Sequence, residues 1–174
     1  MSFRRVGGEE VWKGRMVSVR QERFEYDDGE EATREIVVHP GAVAVVAHDG
    51  ERLYLVAQPR ESVDEQALLE LPAGKLDEEG ESPLETAQRE LGEEIGLAAR
   101  SWEHLTSCYS SPGFASEEVH LYLATDLYEI DVERDESERI EVRAIPLADL
   151  DELIRDCRDM KTLVGLLWLK AMRD

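Results

Sequence analysis

Residues 74–97 read GKLDEEGESPLETAQRELGEEIGL, and this stretch contains the most clearly defined helix in the sequence. Ser82 is a favourable N-cap, Pro83 fits the first helical position, and Glu85 completes a capping box with Ser82. Gly96 stands where a glycine commonly ends a helix. Apolar residues recur at helical spacing between these ends, at Leu84, Ala87, Leu91 and Ile95. The stretch therefore predicts an amphipathic helix that begins at Pro83 and ends before Gly96.

The same helix carries a cluster of glutamates beside its apolar stripe. Glu90 and Glu94 are one turn apart, and Glu93 lies further round toward solvent. Like charges at this spacing cost about 0.2–0.5 kcal/mol in an isolated helix. The cluster is therefore either a solvated acidic face or a site that a cation neutralises, and carboxylate oxygens suit Mg²⁺. Arg89 lies four residues from both Glu85 and Glu93 and can hold either carboxylate in place.

The order of residues favours the cation site. The stretch resembles the Nudix box, Gly-x5-Glu-x7-Arg-Glu-U-x-Glu-Glu-x-Gly-U, in which U is apolar. Every fixed position from Glu81 onward is matched, by Glu81, Arg89, Glu90, Leu91, Glu93, Glu94, Gly96 and Leu97. Six residues separate Gly74 from Glu81, where the box has five. We interpret this departure as a one-residue insertion in the loop before the helix.

The resemblance implies a hydrolase that binds divalent metal and a diphosphate in a loop–helix–loop. Glu90, Glu93 and Glu94 would bind the metal or hold its ligands, and the carbonyl of Ala73 would add another ligand. Arg89 would orient the glutamates, and we place Arg89 and Glu93 among the catalytic residues. Mg²⁺ is the expected ion, with Mn²⁺ as the alternative.

Stretches outside the box resemble the ADP-ribose pyrophosphatase branch of the family. Pro112 stands fifteen residues after the end of the box, where that branch has a proline. Arg60, in Gln-Pro-Arg, matches a phosphate-binding arginine, and Glu117 is a further expected substrate contact. Glu136, in the acidic loop 133–138, is the expected catalytic base; Glu138 is the reserve and a candidate metal ligand. Without the box, this loop would be read as a solvated acidic run.

The N-terminal segment, residues 1–39, is expected to form a small β unit. In the resembled branch such a unit pairs two subunits and contributes to the adenine pocket, which implies a homodimer. Arg34 and Glu35 are at matching substrate-binding positions. Arg15 and Met16 stand nearest to the position where some relatives have an aromatic residue, and an arginine can also stack on a base. Residues 40–174 would form the Nudix domain with its C-terminal helix.

Local patterns predict the remaining elements. An apolar run at 42–47 and a partner at 53–57 predict a hairpin across Asp49-Gly50. The other expected strands are 11–26 and 35–38, joined across a turn at 27–29, and 102–108, 119–124 and 140–145; the other expected helices are 147–155 and 161–172. The order indicates an α+β fold, a Nudix-type α/β/α sandwich with a mixed sheet and a short N-terminal β segment.

Charge and composition exclude several classes of function. The chain has 174 residues and a formal net charge of −20, which argues against binding to nucleic acid or to an anionic membrane surface. Cys108 and Cys157 are the two cysteines, too few for a multi-bridge framework. Neither a signal peptide nor a membrane span is evident in the sequence. These features favour a cytoplasmic location.

The expected reaction is Mg²⁺-dependent hydrolysis of a nucleoside-diphosphate sugar, with ADP-ribose as first choice and AMP and ribose 5-phosphate as products. Another nucleotide sugar, such as GDP-mannose, stays open, because the box specifies the diphosphate chemistry and not the base. A domain that senses ADP-ribose without cutting it is the alternative from a different class. An acidic structural protein would leave the order of the box unexplained.

Overall fold

The computed structural model describes residues 2–132 and 139–173, and the chain divides into two units. The first unit comprises Met1–Gly41 and Tyr109–Glu118, and the second comprises Ala42–Cys108 and Val119–Asp174. A segment that lies far along the chain therefore belongs with the N-terminal residues. Within the described residues, no helix is long and apolar enough to cross a membrane.

The first unit contains a three-stranded antiparallel sheet in the order β1-β2-β3. Its strands are β1 Phe3–Lys13, β2 Ser18–Tyr26 and β3 Glu31–Val38. The predicted turn at 27–29 is confirmed, and Gly29 has a φ of 85°, which favours glycine. The expected strand over 11–26 is interrupted, because the Gly14 N–H donates to the Val17 carbonyl at 2.9 Å and closes a turn.

The segment that contains Pro112 runs beside the end of β3. The Val37 N–H donates to the Phe114 carbonyl at 2.8 Å, and the Ser116 N–H donates to the Val37 carbonyl at 3.0 Å. The His39 N–H donates to Ser116 Oγ at 3.1 Å. These bonds explain why residues 109–118 belong to the first unit.

The second unit contains, within the described residues, a mixed seven-stranded sheet. Its strands are β4 Ala42–His48, β5 Arg52–Arg60, β6 Glu65–Glu70, β7 Ala73–Lys75, β8 Leu97–Tyr109, β9 Glu118–Glu129 and β10 Glu141–Pro146. The order is β10-β5-β4-β9-β8, with β6 paired to β5 and β7 paired to β4. β4 and β9 are parallel, whereas β4 is antiparallel to β5 and β7. The predicted hairpin of β4 and β5 is confirmed.

Helices cover both faces of this sheet. They are α1 Pro83–Ile95, α2 Leu150–Asp156 and α3 Met160–Arg173. Alternate residues of β4 point to opposite faces. Ala44 belongs to a buried cluster that contains Leu166 of α3, whereas Val45 belongs to a cluster that contains Leu91 of α1. Burial on both faces explains the continuous apolar run at 42–47, and the α/β/α sandwich is confirmed.

The ends of α1 are as predicted. The Ser82 side chain accepts from the Glu85 N–H at 3.3 Å, and the Glu85 carboxylate accepts from the Ser82 N–H at 2.8 Å. Gly96 ends the helix with a φ of 72°. The expected helix over 147–155 differs, because Leu147–Asp149 forms a 3-10 turn and the α-helix begins only at Leu150.

Candidate active site

The glutamates of α1 form a gradient from the protein interior to solvent. Glu94 is buried, with 6% of the whole residue exposed, whereas Glu90 and Glu93 are partly buried, with 15% and 41% of their side chains exposed. This order agrees with the helical positions, because Glu93 lies furthest from the apolar stripe. The α1 carboxylates therefore lie at the edge of the core and not on a fully solvated face.

Glu94 links α1 to the segment before the box. The Ala73 N–H donates to Glu94 Oε2 at 2.9 Å. Ala73 begins β7 and lies opposite Ala44 of β4, so this bond joins the helix to the central strand of the sheet. A hydrogen bond to a carboxylate is stronger than one to a neutral acceptor. Glu94 and Ala73, both predicted metal ligands, are thereby held next to each other.

Gly74 provides the space that the Glu90 side chain occupies. A Cβ atom built on Gly74 would lie 1.9 Å from both the carboxyl carbon and Oε1 of Glu90. Atoms cannot approach that closely, so the Glu90 carboxylate lies against bare backbone. The glycine of the box is thus needed for close approach, in spite of the extra loop residue.

Arg89 gathers three carboxylates. Its Nη1 donates to Glu90 Oε1 at 2.9 Å and to Glu93 Oε2 at 2.8 Å, and its Nε donates to Glu81 Oε1 at 3.1 Å. Partial burial disfavours the guanidinium charge, but the hydrogen bonds and charges of these glutamates raise the pKa of Arg89 above its ordinary value. The proposed contact of Arg89 with Glu85 is not formed, because Glu85 is engaged in the capping box.

The extra loop residue does not remove Glu81 from the cluster. Thr86 Oγ1 donates to Glu81 Oε2 at 3.0 Å, and Arg89 donates to both carboxylate oxygens. The hydrogen bond from Arg89 is the main reason that the pKa of Glu81 lies below its ordinary value. Glu81 is therefore an anion that supports Arg89 from the side opposite Glu93.

The donor set fits a hard divalent cation. Carboxylate and carbonyl oxygens are the ligands that Mg²⁺ and Ca²⁺ prefer, and Gly74 leaves space for a carboxylate. Across residues 2–132 and 139–173, no three acidic, histidine or cysteine side chains are placed so that together they could hold a metal ion. Arg89 bridges the carboxylates of Glu81, Glu90 and Glu93 in this arrangement.

Arg60 lies in a second ionic cluster of the same unit. Its Nε and Nη2 donate to the two carboxylate oxygens of Glu70 at 2.5 Å and 2.9 Å. Glu70 is 1% exposed and also accepts from Lys161, which in turn pairs with Asp159 at 3.0 Å. Burial disfavours the charge of Glu70, but hydrogen bonds from Arg60 and Lys161 outweigh it and lower its pKa. The Arg60 side chain, 39% exposed, is thus fixed in orientation by Glu70.

Four predicted substrate residues belong to the first unit. On β3, Arg34 donates to the Thr33 carbonyl at 2.9 Å and to the Tyr26 hydroxyl at 3.3 Å, and Glu35 pairs with Gln21 of β2. Pro112 lies in a turn closed by the Phe114 N–H on the Ser111 carbonyl at 3.1 Å. Glu117 lies 3.6 Å from His39 Nδ1. Their substrate roles remain predictions.

Glu136 and Glu138 lie outside the described residues, so their assignments stay predictions from the sequence. The sequence analysis assigned no role to Glu70 or Thr162. Both link α3 to residues 70 and 71, at the end of β6, since Glu70 accepts from Lys161 and Thr162 accepts from the Leu71 N–H. The spacing of Asp159 and Thr162 is a signal that could have indicated an N-terminal cap of α3. No local signal points to Glu70, because its partners lie 10 and 91 residues away.

Comparison with known proteins gives matches over most of the chain. The NUDIX domain family model matches residues 38–164. The chain is 40% identical over 170 residues to an ADP-ribose pyrophosphatase of Bacillus subtilis (strain 168), covering 95% of this chain and 91% of the relative. It is 39% identical over 167 residues to a methanol dehydrogenase activator of Bacillus methanolicus, with coverages of 93% and 89%. A crystal structure of an ADP compounds hydrolase superposes with a TM-score of 0.87 at 25% identity, covering 99% of this chain and 94% of that one.

Proposed function

Because this chain belongs to the NUDIX domain family, we propose that it hydrolyses the diphosphate linkage of a nucleoside-diphosphate sugar. ADP-ribose is the first-choice substrate, with AMP and ribose 5-phosphate as products. One observation carries the proposal: the box is fully folded, with Glu90 lying against Gly74 and Glu94 bonded to the Ala73 amide. The relative that is named an ADP-ribose pyrophosphatase and aligns with nearly the whole chain supports the choice of sugar.

The catalytic centre would hold Mg²⁺, with Mn²⁺ as the alternative. Glu90, Glu93, Glu94 and the Ala73 carbonyl would bind the ion. A divalent ion supplies Lewis-acid stabilisation of negative charge on the phosphoryl oxygens. Arg89 holds the carboxylates of Glu90 and Glu93 in fixed positions, so little reorganisation is needed when substrate binds. A chain with a net charge of −20 also needs cations to accept an anionic diphosphate.

Arg60 would contact a substrate phosphate. Its guanidinium plane is already fixed by the bidentate pair with Glu70, which lowers the entropy cost of binding an anion. The catalytic base would be Glu136, with Glu138 or Glu93 as the alternatives. We expect Glu136→Gln to reduce turnover and leave substrate affinity largely intact, and an unchanged rate would assign the base elsewhere.

The first unit would contribute Arg34, Glu35, Pro112 and Glu117 to substrate binding. We also propose that residues 1–39 pair two subunits in a homodimer. Large apolar side chains are exposed at both ends of β1 and just after it, and the second subunit of the proposed dimer would cover some of them; they are Phe3, Val11, Trp12 and Met16. A cytoplasmic location is proposed from the two cysteines, which form no disulfide with each other.

The test is product release from a panel of substrates, measured with Mg²⁺ and with EDTA. The panel contains ADP-ribose, GDP-mannose, UDP-glucose, NADH and diadenosine polyphosphates. We expect ADP-ribose to be cut to AMP and ribose 5-phosphate only when the divalent ion is present. Preferred cleavage of GDP-mannose would show that GDP-mannose, and not ADP-ribose, is the preferred substrate. Binding of ADP-ribose without turnover would replace the enzyme with a sensor domain.

A further inference from the structure

The beginning of α3 is bonded to the backbone that leads into the box. The Leu71 N–H donates to Thr162 Oγ1 at 2.8 Å. Thr162 is 2% exposed and Leu71 is fully buried, so this hydrogen bond is shielded from water. The two residues are 91 positions apart in the sequence. A buried bond between a side chain and a distant backbone amide fixes that amide, because its loss would leave a buried donor unsatisfied.

Asp159 sets the direction of the Thr162 hydroxyl. Thr162 Oγ1 donates to Asp159 Oδ2 at 2.6 Å, and the Thr162 N–H donates to the same oxygen at 3.0 Å. Because the hydroxyl hydrogen is used on Asp159, the oxygen lone pairs remain to accept the Leu71 N–H. Lys161 pairs with Asp159 at 3.0 Å and holds the carboxylate in turn.

The three residues from Leu71 to Ala73 are each held by a different element. Leu71 is held by Thr162 of α3, the Pro72 carbonyl accepts from the Val45 N–H at 2.9 Å, and the Ala73 N–H donates to Glu94 of α1. The Pro72–Ala73 peptide, which directly precedes the Ala73 carbonyl, is therefore held between two helices and the central strand.

Gly165 gives an independent sign that α3 fits closely on this segment. A Cβ atom on Gly165 would lie 2.6 Å from Leu71 Cδ1 and 2.8 Å from Val46 Cγ2. Gly165 is three residues after Thr162 and therefore lies on the same face of the helix. α3 thus contacts Leu71 at two places. The Thr162 hydroxyl bonds the Leu71 amide, and the absence of a side chain at Gly165 leaves room for the Leu71 side chain.

We propose that Thr162 is a positioning residue for the proposed metal site, because it holds the segment 71–73 that leads to the Ala73 carbonyl. Through the Leu71 amide it fixes the backbone that ends at Ala73, so that the Ala73 carbonyl and Glu94 keep the separation needed to share a cation. This role rests on the proposed function. Partners that orient metal ligands typically change metal affinity by about 10- to 100-fold when they are removed.

Thr162→Val tests the role, because valine keeps the shape and removes the hydroxyl. Thr162→Ser keeps the hydroxyl and is the matched control. Leu169→Ala is the second control, since Leu169 is 2% exposed on the same helix and its truncation should loosen α3 without removing the hydroxyl that bonds the Leu71 amide. Each full-length variant is measured for Mn²⁺ affinity by electron paramagnetic resonance, and for amide exchange at Leu71 and Ala73 by NMR.

We expect Thr162→Val to bind Mn²⁺ about 10-fold or more weakly, with faster exchange at Leu71 and Ala73, while Thr162→Ser stays near the parent protein. Leu169→Ala should lower stability but keep Mn²⁺ affinity. Unchanged affinity and exchange in Thr162→Val, or equal losses in Leu169→Ala, would overturn the positioning role. If the parent chain neither binds Mn²⁺ nor cleaves the panel, the proposed function fails, and Ala73 exchange still decides whether Thr162 fixes the loop.

Discussion

Two ionic clusters in the second unit are built from the same residue types with a different balance of charge. The Glu70 cluster contains two carboxylates and two cations, namely Glu70, Asp159, Arg60 and Lys161. The Arg89 cluster contains three carboxylates around one guanidinium, namely Glu81, Glu90, Glu93 and Arg89. The four residues of the first cluster are neutral in sum, whereas those of the second carry net negative charge.

This difference indicates what each cluster does. In a buried cluster of balanced charge, removal of one partner leaves an uncompensated buried charge. Such a loss lowers the free energy of unfolding. An acidic cluster at the edge of the core costs free energy through mutual repulsion, and a divalent cation relieves that repulsion. We therefore expect substitution of Glu70 to lower stability, and to weaken substrate binding through Arg60, whereas substitutions beside the Arg89 cluster should change turnover.

Glu94→Gln should have the largest effect. The glutamine oxygen can still accept from the Ala73 N–H, but the ligand charge is lost. Turnover should fall about 100- to 1,000-fold, while the midpoint of urea unfolding stays close to that of the parent. Glu79→Gln, in the exposed segment before α1, is the control for charge and should keep full activity. Near-parental turnover in Glu94→Gln would contradict the metal assignment.

Glu70→Gln, in contrast, should mainly lower the free energy of unfolding. It leaves Arg60 and Lys161 facing a neutral group, and we expect a loss of roughly 2–3 kcal/mol in the free energy of unfolding. This is less than the about 3–5 kcal/mol for a fully buried pair, because the Arg60 side chain is 39% exposed. Urea unfolding measures the loss. A variant as stable as the parent would show that the balanced cluster is not structural.

Gly74→Ala should act through Glu90. The added methyl group displaces the flexible end of that side chain, so turnover should fall by about 10- to 100-fold with a small change in stability. Glu90→Gln and the double variant complete a double-mutant cycle. If the two substitutions share one cause, the double variant should be little worse than Glu90→Gln. Fully additive losses would mean that Gly74 is needed for something other than the approach of Glu90.

Mg²⁺ should stabilise the protein through the α1 carboxylates alone. At a free concentration ten times its Kd, the ion should add about 1.4 kcal/mol to the free energy of unfolding. This increment should persist in Glu70→Gln and disappear in Glu94→Gln. Unfolding curves with Mg²⁺ and with EDTA measure it. An increment that survives in Glu94→Gln would place the cation elsewhere in the chain.

Acid should remove the contribution of Glu70, and this is the smallest expected effect. Its pKa in the folded state lies below the ordinary 4.5, because hydrogen bonds from Arg60 and Lys161 outweigh the effect of burial. The ionised Glu70 carboxylate therefore contributes its full stabilisation above pH 4.5, and this contribution is lost as the pH falls through the pKa of Glu70 in the folded state. The stability difference between parent and Glu70→Gln should be constant above about pH 5 and should narrow as the pH falls below 4.5. A difference that is constant with pH would exclude ionised Glu70 as its source.

Strands were less predictable than the helix, for a reason visible in β1 and β7. Residues 3–10 contain two glycines and four charged residues, which are poor strand formers, yet they pair with β2 along a bulged register. β7 is three residues long and follows Pro72, so only its pairing with β4 makes it a strand. Such elements exist because a partner supplies their hydrogen bonds.

The sequence by itself determined α1, its two ends and the order of the box, because capping bonds and apolar periodicity act over a few residues. It also determined the hairpin across Asp49-Gly50 and the position of Glu93 further toward solvent than Glu90 and Glu94. Tertiary structure alone decided which carboxylates Arg89 holds: Glu81, eight residues away, is bound and Glu85 is not.

Tertiary structure likewise brought Glu94 to the amide of Ala73, 21 residues away, and Thr162 to the amide of Leu71, 91 residues away. Contacts of this range depend on how the sheet places β7 between α1 and α3. No local pattern encodes that placement, because it results from burying both faces of β4 at once.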